Sequence, residues 1–224
     1  MPTTSRTPIR ARLTAGGDPV LAFGIIPASG LETGAKVAGV DTIAVRQLAV
    51  LLEGTTLGST AEMVQRVARY RKVVEQAFLG RTVVPLPCDT VFRSRASVAR
   101  WLELHHSPLQ EALDFVADRA TMRVRVSVPG SPATEAAAVS LEAHLWTALR
   151  GLKGDAVAAI PVATQADGAV GTDRSAACAY LIERESVPAF EERVAHLTSA
   201  QSHLRVELTG PLPPYDFVKM DFGG

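Results

Sequence analysis

The residue types that do chemistry are few in this 224-residue chain, and their spacing is poor for it. A nucleophilic cysteine needs a base or cation close by to lower its pKa. Cys88 stands between Pro87 and Asp89 in PLPCDTVF with no recognisable cysteine signature around it, so an inert, partly buried thiol is favoured over a nucleophile. Cys178, in AACAYLI, reads as a small core residue. Neither cysteine has a CxxC neighbour, which argues against a zinc site or disulfide framework and fits a reducing compartment. His105 and His106 are adjacent and so point about 100° apart on a helix, unlike the i, i+4 pair that binds metal. They read as a solvated helix end. His144, His196 and His203 occur singly, with no HExxH pattern. The glycine-rich GAVGT at residues 168–172 falls in a hairpin rather than between strand and helix, which makes a phosphate cradle improbable. No catalytic residue, cofactor-binding residue, metal ligand or cofactor is therefore expected.

Composition points the same way. With 47% hydrophobic and 21% charged residues, the chain has the content of a globular protein able to bury a sizeable core. Its formal net charge is zero, and neither half carries the positive excess that phosphate binding requires, so nucleic acid is not an expected partner. No stretch approaches the ~18 apolar residues of a membrane helix, and the first residues lack the apolar run of a secretory signal. The expected location is the cytoplasm, with a flexible arm over residues 1–19.

Residues 20–27, VLAFGIIP, read as a buried strand, and TIAVRQLAVLLEG supplies more strand with a change of direction near Gln47. Met63, Val67, Tyr70, Val74 and Phe78 recur every three or four residues, which predicts a helix that Ser59 caps and Gly80 ends. TVVPLPCDTVF returns to strand character broken by Pro85 and Pro87. SVARWLELHH and PLQEALDFVADR are helical, with Pro108 as the separator. The pattern then changes near Asp118–Thr121. MRVRVSV alternates Val124, Val126 and Val128 against Arg123, Arg125 and Ser127, a strand with a core face and a wet face. An alanine-rich helix from Thr134 to Arg150 buries Ala138, Leu141, Leu145 and Leu149. Two strands flank a polar loop, a helix from about Pro188 turns Phe190, Val194 and Leu197 inward, and HLRVELTG is the last strand.

The predicted fold class is α+β in two domains. An N-terminal α+β domain spans residues 20–120, and a ferredoxin-like βαββαβ domain spans residues 121–210. The final strand is expected to end at Gly210, so that residues 211–224 form an extended, proline-rich C-terminal tail. Pro211, Pro213, Pro214, Tyr215 and Phe217 are the candidate docking residues. Val218, Met220 and Phe222 add apolar surface, and the tail either folds back over its own chain or is offered to another protein. On docking, Tyr215 and Phe217 are expected to enter an apolar groove between the domains.

The segment TGPLPPYDFV resembles TGPWPPYSFV, a C-terminal signature of the gas vesicle protein L/F family. LAFGIIP is similar to that family's opening YVYGIV strand, RTVVPLPCDTVF resembles VLPLRFGTVF, and DRSAACAYLIERESVPAF resembles the block carrying AFLV. The four segments agree in order across residues 20–218. This chain departs in having Pro87, Cys88 and Asp89 before Thr-Val-Phe, and Leu212 where tryptophan is usual. The resemblance implies two α+β domains, the second a modified ferredoxin-like fold. It also implies a non-enzymatic accessory role in gas vesicle assembly, or a minor structural place in the vesicle, through contact with the small hydrophobic shell protein and other accessory proteins. The alternative is a small-molecule-binding or catalytic ferredoxin-like protein unrelated to flotation. A polar cleft joining Cys88, Asp89 and a histidine favours the alternative, and a shallow apolar surface near the tail favours the accessory role.

Overall fold

A computed structural model describes residues 17–32, 34–55, 61–130, 135–154, 156–163 and 174–218. Most of the expected N-terminal arm, the Ser59 cap, the GAVGT loop, Met220 and Phe222 lie outside the described residues.

Strand β1 (Val20–Pro27) is apolar along its length because both of its faces are covered. Its neighbours are β2 (Lys36–Val37), β3 (Val40–Val45), β4 (Leu48–Gly54), β5 (Val84–Pro85) and β6 (Val91–Phe92). The order is β2-β3-β4-β1-β5, and β6 also pairs with β1. The chain reverses between β3 and β4 through the two-residue turn Arg46–Gln47, in which Arg46 has a left-handed φ of 55°, where the change of direction is expected. Helix α1 (Ala61–Gly80) packs Tyr70, Val73, Val74 and Phe78 on one face of this sheet, against Phe23, Ile26, Ala49 and Leu51. Helices α2 (Arg95–Leu104) and α3 (His106–Val116) cover the other face, where Val98, Leu102, Leu109 and Leu113 meet Val20, Ile25, Val50 and Leu52. Alternation lets β1 serve both layers, and a register shift between Ala22 and Gly24 changes its phase: Ala22 faces α2 and α3, Phe23 faces α1, and Ile25, two residues on, faces the α2–α3 side. A Cβ at Gly24 would lie 3.0 Å from Val83 Cγ2 and 3.1 Å from the Val84 carbonyl, so glycine allows β5 to approach at the bulge.

The second sheet has the order β10-β7-β9-β8, with every neighbouring pair antiparallel. Its strands are β7 (Arg119–Val128), β8 (Ala158–Val162), β9 (Arg174–Glu183) and β10 (Arg205–Leu212). Helix α4 (Glu135–Gly151) connects β7 to β8. A 3-10 turn (Arg184–Ser186) and helix α5 (Val187–Ala200) connect β9 to β10. Leu145, Leu149, Phe190 and Val194 from the helices bury Val124, Val126, Cys178 and Tyr180 of the strands. Tyr180 is fully buried, which its hydroxyl tolerates by donating to the Leu149 carbonyl at 2.7 Å.

Several expected boundaries move. Strand β7 starts at Arg119, three residues before Met122, immediately after Asp118 with its φ of 53°. Ser127, expected on the wet face, is 6% exposed, because β7 has a strand on either side and Ser127 is small enough for its neighbours to cover. The break between α2 and α3 falls at His105 and not at Pro108. Pro108 lies in the first turn of α3, where a missing N–H costs no intrahelical bond. Strand β10 passes Gly210 and ends at Leu212, which pairs with Thr121 after a register shift that begins at Thr209. The expected strand end at Gly210 is thus two residues short.

Gly210 has a φ of 149°, and a Cβ there would lie 2.8 Å from the Thr121 carbonyl and 2.6 Å from Met122 Sδ. Both the backbone conformation and the close approach to β7 therefore demand glycine. Gly210→Ala is expected to lower stability by roughly 1–3 kcal/mol. Gly80→Ala, at an open position with ordinary φ, should be neutral or slightly stabilising. Urea denaturation midpoints of the two variants check this contrast.

Candidate functional site

The segment that follows β10 does not run extended through its prolines. Tyr215 N–H donates to the Pro213 carbonyl at 2.7 Å and Phe217 N–H to the Pro214 carbonyl at 3.2 Å, so residues 213–217 fold into consecutive turns. Proline fixes its own φ near the value that a turn's second residue needs, and Pro213 and Pro214 therefore allow a tight path as readily as an extended one, while Pro211 stays in strand β10. Pro213 and Pro214 are buried, Pro211 is exposed, and Tyr215 and Phe217 are half-buried.

Folding into turns brings the segment against both sheets. The Tyr215 ring joins the α1 layer, 6.1 Å from the ring of Tyr70, and Val218 packs with the α2–α3 layer. Between them, Asp216 accepts two hydrogen bonds from Arg123 of β7, Nε at 2.7 Å and Nη2 at 2.8 Å. This fork geometry is stronger and more directional than a single contact. A second link joins the two sheets' layers: Arg184 Nη2 donates to the Phe78 carbonyl at 2.7 Å and the guanidinium lies 3.8 Å from the Phe78 ring centroid. Of the tail's candidate docking residues, Tyr215 makes the ring contact described here; Arg123, Asp216, Tyr70 and Arg184 were not among the candidates. Only the apolar spacing of α1 hinted at Tyr70.

Beside the segment lies an open groove of about 1150 Å³, walled by Val64, Val67 and Phe78 of α1 and by Pro211, Leu212 and Pro213. Val64 is 78% exposed, and Leu79 at the far end is 82% exposed. Arg71, Lys72 and Glu75 form its polar border. Helix α1 thus buries one stripe on the sheet and presents apolar residues on another.

The residues tested for chemistry stay apart. Cys88 packs towards the α1 layer, whereas Asp89 and His105 line a separate cleft of about 400 Å³ with Trp101 and Phe92. His105 Nδ1 is 3.0 Å from the Trp101 carbonyl, and His106 Nε2 is 3.1 Å from Gln47 Oε1. His144 and His203 come within 5.6 Å of each other by ring centroid. Among the described residues, no group of three or more His, Cys, Asp or Glu is arranged to hold a metal ion. No described helix is long and apolar enough to cross a membrane.

Burial pushes the Tyr215 hydroxyl up to about 12, with Glu75 adding to the shift and Arg71 and Arg123 opposing it. Burial also raises Tyr70 and Tyr180. A tyrosine whose folded pKa is raised contributes stability that is complete below the unfolded value of 10 and is lost as pH climbs towards about 12. The Tyr215 hydroxyl oxygen is buried with no hydrogen-bond partner among the described residues. Tyr215→Phe should therefore leave stability at neutral pH unchanged or higher and flatten its decline across that alkaline window. Denaturant midpoints at neutral pH and at two alkaline values check it.

Similarity to known proteins agrees with this architecture. The family described as Gas vesicle synthesis protein GvpL/GvpF matches residues 19–145 and 133–219. Gas vesicle protein F2 of Halobacterium salinarum is 26% identical over 147 residues, covering 64% of this chain. The chain spans 62% of that relative's length. The crystal structure of GvpF from Anabaena sp. PCC7120 superposes with a TM-score of 0.71 at 17% identity, covering 93% of this chain and 99% of that one. GvpF from Microcystis aeruginosa gives 0.69 at 15% identity, with 90% and 99% covered. A mixed α+β fold, with two sheets and five helices among the described residues, that superposes on the two crystal structures, and a sequence match over nearly the whole described chain lead to one conclusion: the protein belongs to the GvpL/GvpF family.

Proposed function

We propose that the protein is a non-enzymatic accessory factor of gas vesicle assembly, acting in the cytoplasm and at the vesicle by binding the small hydrophobic shell protein, alongside other vesicle accessory proteins. Family membership supports the vesicle role. The observation that carries the binding reading is the open apolar groove along α1, with Val64 and Leu79 exposed at its two ends. A shell subunit with a strongly apolar face aggregates unless that face is covered, and a partner that covers it needs surface and no chemistry.

The same reading assigns a role to the architecture. Residues 20–120 form the α+β domain that carries α1, and residues 121–210 form a ferredoxin-like domain whose βαββαβ order and separate core support the assignment. The C-terminal segment acts as a strap between them: Tyr215 seats on the first and Asp216 on the second. Its prolines lower the entropy lost on docking, while each aromatic ring removes roughly 150–250 Å² from water when fully buried. The strap thereby fixes the wall of the groove formed by Pro211–Pro213.

Two sets of variants test this. With the shell protein co-expressed, the chain should capture it, and Val64→Asp with Leu79→Asp should weaken capture about tenfold without changing the fold. Tyr215→Ala with Phe217→Ala should increase amide exchange at the contacts between the sheets and weaken capture while both cores stay folded. Absence of any shell-protein capture by the unaltered chain would overturn the binding reading. Unchanged exchange and unchanged capture in the tail variant would remove the strap.

A further inference from the structure

A second cavity, which shares no lining residue with the α1 groove, lies between α4 and the edge of the second sheet. Its volume is about 540 Å³, within the range of sites that enclose a small organic ligand. Tyr180 and Cys178 of β9 form the floor, and Trp146 and Leu149 of α4 face Ala159 and Pro161 of β8 across it. The floor offers little polarity: the Tyr180 hydroxyl is already spent on the Leu149 carbonyl. Burial raises the pKa of the Cys178 thiol, which keeps it neutral.

Charge at the mouth has one sign. Arg150 and Lys153 line the cavity and are exposed, and among the described residues no acidic residue lines it with them. Both lie at the C-terminal end of α4, where cations also complement the helix dipole. Two of the helix's last four carbonyls are capped: Leu149 O accepts from Leu152 N–H at 3.0 Å and from Tyr180, and Arg150 O accepts from Lys153 N–H at 3.2 Å. Two full positive charges at the mouth outweigh the partial negative charge of that helix end and favour an anion there. We infer that this cavity binds a small amphipathic carboxylate, its apolar body against Trp146, Ala159 and Pro161 and its head between Arg150 and Lys153. This site is independent of the shell-protein reading and does not require it.

Decanoate is the probe, with decanol as its uncharged counterpart. The chain has two tryptophans, so Trp101→Phe leaves Trp146 as the sole reporter. Decanoate should shift Trp146 emission to shorter wavelength in a saturable, one-to-one manner. Arg150→Gln with Lys153→Gln should weaken that binding about tenfold while leaving decanol unaffected. Ala143→Phe, at an exposed position on the cavity wall, should abolish it. Calorimetry of the unaltered chain gives the same comparison should Trp101→Phe fold poorly. The proposal is overturned by any of three results: no saturable decanoate binding, binding that leaves Trp146 emission unmoved and so sits elsewhere, or equal affinity in the double-glutamine variant.

Discussion

Helix α1 depends on being gripped from the second sheet's side of the molecule as well as from its own sheet. Arg184 reaches the last turn of α1, donates to the Phe78 carbonyl that the helix leaves without an intrahelical partner, and stacks on the Phe78 ring. A guanidinium satisfies that carbonyl and covers an aromatic face at once, which a lysine ammonium does less well. At the middle of the helix, Tyr70 donates to the Leu86 carbonyl at 2.6 Å and meets Tyr215 on its outer side. Beside it, Arg69 holds Glu53 at the end of β4 through Nη2 at 2.6 Å. Anchored at its middle and in its last turn, α1 presents the stripe that it turns away from the sheet in a fixed orientation.

The sheet beneath imposes a matching constraint. A strand covered on both faces has no wet side, so β1 carries apolar residues throughout and period-2 reading says nothing about which residue faces which layer. The bulge at Gly24 then reverses the parity between Phe23 and Ile25. This explains which parts of the fold were legible in the sequence. In β7 the valines alternate with arginines and faced the core as read; in α1 and α5 the apolar spacing identified Tyr70, Val74, Phe78, Phe190 and Val194. What stayed hidden was local geometry set by neighbours distant in sequence. Gly210 needs its conformation because Thr121 lies against it, and Ser127 is buried because its strand is central.

The candidate site was legible in the same uneven way. Prolines and aromatics after the last strand identified a segment that must dock, because such residues lose little entropy and bury much area. The form of docking was not legible. Pro213 and Pro214 fit turns or extended chain equally, and the turned form is the one that brings Asp216 to Arg123, 93 residues earlier in the chain. Likewise, Val64 and Leu79 fall off the buried stripe of α1 and look like incidental surface residues until the tail supplies the opposite wall.

The two apolar concavities differ in the charges that border them, and that difference sorts what each can accept. The α1 groove carries Arg71 and Lys72 beside Glu75, so its rim is of mixed sign, and its open apolar walls suit a polypeptide face rather than one small charged group. The cavity beneath α4 is smaller, and the charged residues that line it are, among the described residues, cations alone. A neutral apolar ligand gains from either by burial, but only an anion distinguishes them, since charge at a rim contributes more to selectivity than to raw affinity. Because the chain as a whole is neutral, this discrimination does not come from long-range attraction. It rests on which few side chains stand at each edge, and on the anchors that keep α1 and α4 from turning those edges elsewhere.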